Sequence, residues 1–426
     1  MIPILKGSED LSRVFCRSQL DTEKARETVK GIIEGVRKGG DKALFEYTER
    51  FDNVKLNGGS VRVTQEEIDA AYKAVSAEQL AALRRAKENI EEFHKRQKRN
   101  DDIVTINGKT TGIIYRPIER AGLYVPGGKA SYPSSVLMCA LPAVVAGVPE
   151  IIMTTPAANG LNPLTVVAAS ECGISKIFKI GGAQAIAAMA YGTESVPKAN
   201  VISGPGNIYV ALAKREVYGV AGVDMIAGPS EIVIVADESA DAEFVAADML
   251  SQAEHDELAM SVLITSSKQL AEAVQKEVEL QVKKLPKSLI ATKSLENCGT
   301  VILVNNLNEA FDTVNKIAPE HLELCIENPQ KWLSKIINAG AVFMGHYSPE
   351  PLGDYYAGTN HVLPTSGTAK FCSALSVDNY IKKISVIEYE KSALFACSSD
   401  IELLAECEGL RAHANSIKVR REKEIK

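Results

Sequence analysis

The chain has 426 residues, 46% hydrophobic and 24% charged, with a formal net charge of −6. That length exceeds one small core and favours two or more domains, and the acidic balance gives no electrostatic footprint for a nucleic acid. No apolar run approaches the ~20 residues of a membrane helix, and the start, "MIPILKGSEDLSRVF", lacks the basic region and long apolar core of a secretory leader.

The first hundred residues read as helical. "TEKARETVKGIIEGVRKGGDKALFEYTERF" and "TQEEIDAAYKAVSAEQLAALRRAKENIEEFHKRQ" carry long apolar stripes, Thr starts and a Gly-Gly break. His94, in the charged run "EEFHKRQK", reads as a solvated side chain. From about 113 the texture changes to short β-branched runs ("EIIMTTP", "ISKIFKIGG", "EIVIVAD") alternating with Ala-rich helical segments, the pattern of βαβ units around a parallel sheet. A second such stretch follows, with "MSVLITSS", "TVILVNN", "EHLELCI" and "AVFMGH", and after about 375 the chain reads as helical again. Eight cysteines are scattered without a CxxC pair. Several, such as Cys139 in "VLMCALPAVV", fit buried free thiols in a reducing cytoplasm.

Glycine-rich turns at "GLYVPGG", "KIGGAQA" and "SGPGN" sit at strand–helix junctions, where backbone N–H groups can approach a phosphate. None is a G-x-G-x-x-G, so the standard dinucleotide fingerprint is absent. "AGPSE" adds Ser230 at a further turn before a strand. At "SQAEH" the helical face that carries Val245 and Met249 ends in Gln252 and His255, three apart, which could converge on a metal or simply close a helix with a hydrogen-bonded histidine. In "APEHLEL", Glu320 and His321 follow a proline ahead of a probable strand. They form either an acid–base pair or a strand cap. The irregular segment 345–365, "GHYSPEPLGDYYAGTNHVLPT", supplies Asp354 as an oxygen ligand, with Glu350 and His361 for polar groups of a substrate. Near the end, "ECEGLRAHANS" holds Glu408 and His413.

Taken together, "GLYVPGG", "GGAQAIAAMAYGTESVPK", "GPGN", "AGPSE", "DMLSQAEH", "PEHLEL", "SPEPLGDYYAGTNHVLPT" and "ECEGLRAHANS" resemble the histidinol dehydrogenases, in that family's order and across about 113–417. The resemblance implies an α/β fold of two Rossmann-like domains that lack the standard fingerprint, with helical N- and C-terminal additions. The expected boundaries are an N-terminal helical arm (1–19), a discontinuous first α/β domain (20–122 and 236–375), a second Rossmann-like domain on the NAD side (123–235) and a helical tail (376–426) that reaches a partner subunit.

The implied reaction is the zinc-dependent oxidation of L-histidinol to L-histidine through the aldehyde, with reduction of two NAD. A relative that acts on another amino or sulfonated alcohol is the alternative. Other readings of the same residues are a zinc hydrolase and a zinc-stapled structural dimer. By resemblance one zinc per subunit is held by Gln252, His255 and Asp354 of one subunit and His413 of the other in a homodimer. His321 takes the alcohol proton and Glu320 activates water. Ser230, His361 and Glu408 join the zinc ligands and His321 in contacting substrate, while Tyr124, Gln184 and Asn207 contact NAD.

Overall fold

The structure, a computed structural model, describes residues 2–7, 14, 22–127 and 132–423. They divide into two compact units, Met1–Gln97 with Ile118–Tyr380 and Lys98–Pro117 with Ile381–Lys426. Along the chain the strands are β1 (Ile4–Lys6), β2 (Asp102–Ile106), β3 (Lys109–Pro117), β4 (Arg120–Tyr124), β5 (Glu150–Thr154), β6 (Lys176–Phe178), β7 (Val201–Ser203), β8 (Gly222–Val223), β9 (Glu231–Ala236), β10 (Met260–Thr265), β11 (Thr300–Leu303), β12 (His321–Cys325), β13 (Ala341–Met344) and β14 (Ile381–Tyr389).

The first unit holds two parallel sheets, ordered β6-β5-β4-β7-β8 and β1-β11-β10-β9-β12-β13. In each, the chain winds outward from a central strand and then crosses back to that strand's other side. This gives a doubly wound sheet with a reversal point, between β4 and β7 in one and between β9 and β12 in the other. The side chains of β9 and β10 are buried along their whole length, as expected for strands covered by helices on both faces. Cys139 is buried and forms no disulfide. No helix among the described residues is long and apolar enough to cross a membrane.

The helices before residue 100 start where side-chain caps allow. Thr64 and Glu67 form a capping box ahead of Gln65–Ala74, and Ser76 and Gln79 form another ahead of Ala77–Lys95. The Gly-Gly break falls inside the helix Thr22–Asp52, where Gly40 leaves helical geometry at φ 55°. That helix packs on Gly182–Tyr191 and Ile208–Val217 of the five-stranded sheet. Val61 joins the same apolar cluster as that helix and the five-stranded sheet. His94 is not solvated. It continues the buried face of Leu83, Ala86 and Ile90, and its ring lies 2.9 Å from Gln97 Oε1 and 3.2 Å from Asn360 Nδ2. With both ring nitrogens partnered, burial carries no unpaired polar group.

At the N-terminus, most of the expected helical arm at 1–19 lies outside the described residues. What is described there includes a strand, β1, paired in parallel with β11. In the second unit β2 and β3 form a hairpin through Asn107 and Gly108, both at positive φ (52° and 71°), as a two-residue hairpin turn requires. The expected helical tail is interrupted at its start by β14, which pairs antiparallel with β3 along its full length. Helices Lys391–Cys407 and Arg411–Glu422 follow.

Gly204, just after β7, has φ 120°, and a Cβ there would run into the carbonyl oxygen of Tyr124. Its N–H donates to Asp224 Oδ2 at 2.8 Å and its carbonyl accepts from Lys214 Nζ at 3.0 Å; Lys214 and Asp224 are themselves a buried ion pair. Gly204→Ala should cost about 2 kcal/mol or more through backbone strain alone. Urea unfolding checks this: the expected result is a lower midpoint at unchanged slope, and an unaltered midpoint contradicts it.

Candidate active site

Helix Leu307–Ile317 ends at Ala318, which adopts the left-handed conformation (φ 52°), and Pro319 then prevents the helix from continuing. Glu320 and His321 follow, with His321 opening β12 beside Ile232 of β9. This register puts the backbone of Glu231 against both side chains. The Glu231 N–H donates to Glu320 Oε2 at 2.9 Å, and the Glu231 carbonyl lies 2.9 Å from His321 Nδ1. The Glu231 carboxylate in turn accepts the Ser366 N–H at 3.0 Å.

Because Nδ1 faces a carbonyl oxygen, it carries the proton, and Nε2 is left as an acceptor. That Nε2 is buried without a hydrogen-bond partner. Burial pushes the His321 imidazole down to about 3, opposed by the Glu231 carbonyl and reinforced by the neighbouring rings of His255 and His361. At neutral pH the ring is uncharged, and the same burial makes it a weaker base than a free imidazole. Burial also raises Glu320 well above the ordinary carboxylate range; the Glu231 N–H opposes this, while the charges of Glu231, Asp354 and Glu350 add to it. A raised carboxylate is a stronger proton acceptor than one in water.

The residues read as metal ligands fall into two groups. Gln252, in the last turn of helix Ala242–Ala253, is 0% exposed, and neither its Oε1 nor its Nε2 has a partner. A buried amide with nothing to bond costs on the order of several kcal/mol unless something fills the space beside it. His255 lies just past that helix in a turn, with its N–H bonded to the Gln252 carbonyl. His255, Glu350 and Asp354 bring one nitrogen or carboxylate oxygen each within 4.8 Å of one another. One hard or borderline cation can bridge such a separation, and an imidazole with carboxylates and an amide oxygen is a donor set zinc accepts. Asp354 is pushed up to about 6 and Glu350 to about 8, both mainly by burial, with Glu350 raised further by the Asp354 charge.

His361 is fully engaged. Its Nδ1 lies 3.0 Å from the Asp354 carbonyl and 3.6 Å from Asp354 Oδ1, and its Nε2 lies 3.3 Å from Ser135 Oγ. Burial lowers it to about 4. Ser230, Glu320 and His361 line one cavity together with Gly204, Pro205 and Thr365. The cavity thus joins the carboxyl ends of the five-stranded sheet to the amino ends of β9 and β12. Glu408 and His413 belong to the second unit, where both are exposed.

The residues read as cofactor contacts line the carboxyl edge of the five-stranded sheet around its reversal point, the usual ligand crevice of such sheets. Tyr124 ends β4, and its hydroxyl accepts the Gly182 N–H at 3.2 Å; burial pushes it up to about 12. Gln184 is buried with Nε2 unpartnered. Asn207 caps helix Ile208–Val217, accepting from Tyr209 and Val210.

Sequence reasoning passed over Glu231, although it closes the quoted "AGPSE". A glutamate at the start of a buried apolar strand was the available signal. It also passed over Asp248 and Glu323, which lie one helical turn before Gln252 and two strand positions after His321.

The family model described as histidinol dehydrogenase matches residues 15–421. The histidinol dehydrogenase of Caldanaerobacter subterraneus subsp. tengcongensis is 55% identical over 96% of this chain and 95% of its own. That of Clostridium acetobutylicum is 51% identical over 97% and 99%. The crystal structure of histidinol dehydrogenase from Elizabethkingia anophelis superposes with a TM-score of 0.94 at 39% identity, covering 100% of this chain and 98% of that one. With the match running through both sheets and the Glu320–His321 turn, the chain belongs to the histidinol dehydrogenase family.

Proposed function

We propose that the chain oxidises L-histidinol to L-histidine through the aldehyde, reducing two NAD for each substrate. The observation that carries this reading is the buried, partnerless Nε2 of His321 beside a carboxylate whose affinity for protons burial has raised. His321 Nε2 takes the hydroxyl proton of the alcohol as hydride leaves its carbon. Glu320 then takes a proton from the water that adds to the aldehyde carbon, and His321, having released its first proton to solvent, takes the hydroxyl proton of the hydrate in the second oxidation. Throughout, Glu231 holds both side chains by backbone bonds that no protonation step breaks.

Gln252, His255 and Asp354, with His413 of the partner subunit, would hold zinc, and the orphaned Gln252 amide supports that assignment. When bound, zinc orients and polarises the substrate, and NAD accepts hydride. Tyr124, Gln184 and Asn207 would receive NAD, while Ser230, His361 and Glu408 complete the substrate pocket. The shared site requires a homodimer, and the second unit supports one. Among its described residues only Ala393, Ser398, Ala405 and Ala414 are buried, whereas Leu404 is 65% and Ile387 75% exposed. A unit with so little core gains most of its stability by covering those apolar side chains against another surface.

Counting NADH by absorbance against limiting histidinol tests the reaction: two per substrate are expected, and none, or one, contradicts it. Glu320→Gln should slow the second oxidation by roughly 10²–10⁴-fold while sparing the first, so that histidinol is consumed with one NADH and aldehyde accumulates. Equal loss of both steps contradicts the assignment of Glu320 to water. Mixing the inactive variants His255→Ala and His413→Ala should restore activity, because one of the two sites in a mixed dimer carries neither defect. No recovery in confirmed heterodimers contradicts the shared site.

A further inference from the structure

Behind the proposed metal ligands lies a row of buried and half-buried acids that the chemistry above does not use. Asp248 sits four residues before Gln252 on helix Ala242–Ala253, Glu323 two residues after His321 on β12, and Glu350 four residues before Asp354 on helix Glu350–Tyr355. Each acid therefore stands one repeat behind a site residue, on the same face of the same element. Glu323 is only 1% exposed. Its Oε1 accepts the Glu350 N–H at 2.6 Å, a backbone donor that the preceding Pro349 leaves without a side-chain cap. Its Oε2 has no N–H or O–H donor. One carboxylate oxygen each of Glu323 and Asp248 and the Cys325 sulfur lie within 4.8 Å of one another. The row continues through Glu350, whose Oε2 accepts the Ser251 hydroxyl at 3.2 Å and which closes on Asp354 and His255.

A leucine at 323 would fill this space with less desolvation cost than a carboxyl, so the carboxyl is not explained by stability. What it does is join three elements. It bonds the helix that carries Asp354 through the Glu350 backbone, faces the helix that carries Gln252 through Asp248, and rides on the strand that carries His321. The amide it helps to place, Gln252, is fully buried and bonded to nothing, which itself points to a ligand at that spot.

We propose that Glu323 is a positioning residue for the metal site: bridging Asp248 and Glu350, it sets the spacing between Gln252 and Asp354. This rests on the reading that Gln252, His255 and Asp354 hold zinc. Outer partners of metal ligands typically change affinity by about 10–100-fold. Glu323→Gln keeps an oxygen for the Glu350 N–H and offers an amide N–H to the Asp248 carboxylate, so it preserves the bridge. Glu323→Leu removes it.

The test is the zinc affinity of the metal-free full-length protein at 25 °C, by competition with a chromophoric chelator, for the wild type, Glu323→Gln, Glu323→Leu and His255→Ala. Apo melting temperature and NAD affinity are read in parallel. Glu323→Leu should bind zinc about 10–100-fold more weakly, with NAD affinity unchanged, and Glu323→Gln should stay within a few-fold of the wild type. Should Glu323→Leu fail to fold, Asp248→Ala, at a half-buried position, should show the same selective loss. A lower melting temperature with wild-type zinc affinity would make Glu323 a stability residue only and overturn the proposal. So would a second zinc per chain that Glu323→Gln removes, since the acids would then be ligands themselves. If His255→Ala leaves zinc binding intact, the zinc reading itself fails, and that result is distinct from any outcome at Glu323.

Discussion

Everything in the active site hangs on the parallel pairing of β9 with β12. In that register one residue, Glu231, turns its N–H to the Glu320 carboxylate and its carbonyl to the His321 ring. Backbone groups at the start of a central strand cannot rotate away, so two adjacent side chains are held by one peptide segment. A side-chain partner would cost rotamer entropy to hold in place; here the ladder that builds the sheet already supplies the order. The bond to Nδ1 also determines which nitrogen of His321 remains bare, and thereby which atom can act as a base.

The two sheets contribute opposite ends to the cavity. The five-stranded sheet offers its carboxyl edge, with Gly204 and Pro205 after β7, whereas the six-stranded sheet offers the amino ends of β9 and β12. The first is the customary crevice of a doubly wound sheet; the second is not, and it reaches the cavity because Glu320 and His321 sit in a tight turn entering a strand. That turn carries strain at Ala318, an L-residue in the left-handed region. It also needs a close approach on its far side, where a Cβ on Gly340 would lie 2.6 Å from the Glu320 carbonyl. Burial then works against charge throughout. The interior that leaves His321 uncharged also raises Glu320, Glu350 and Asp354.

Much of this was legible in the residues because it is local. Alternating β-branched runs and Ala-rich segments marked the parallel sheets, and the Gly-Gly break marked the departure from helix at Gly40. What escaped is nonlocal or ambiguous in pattern. Strand β14, "IKKISVIEY", mixes lysines with apolar residues, and its partner β3 lies some 270 positions earlier; nothing nearby distinguishes it from the helices that follow. The Asn-Gly turn of β2–β3 was a readable hairpin signal set in a segment with too little apolar alternation to attract notice. His94 looked solvated because its neighbours in sequence are charged, yet on the helix its neighbours are Ile90 and Leu83. At the site, Glu320 and His321 were visible as a pair, whereas Glu231 acts through its backbone, which no side-chain motif reveals.

The claim that the Glu231 carbonyl sets the state of His321 can be measured directly. Long-range 1H–15N correlation spectra of 15N-histidine-labelled protein at neutral pH, with His321→Gln to assign the ring, report which nitrogen is protonated. The expected result is a neutral imidazole protonated at Nδ1, with Nε2 unprotonated. A ring protonated at Nε2, or an imidazolium at neutral pH, would contradict it.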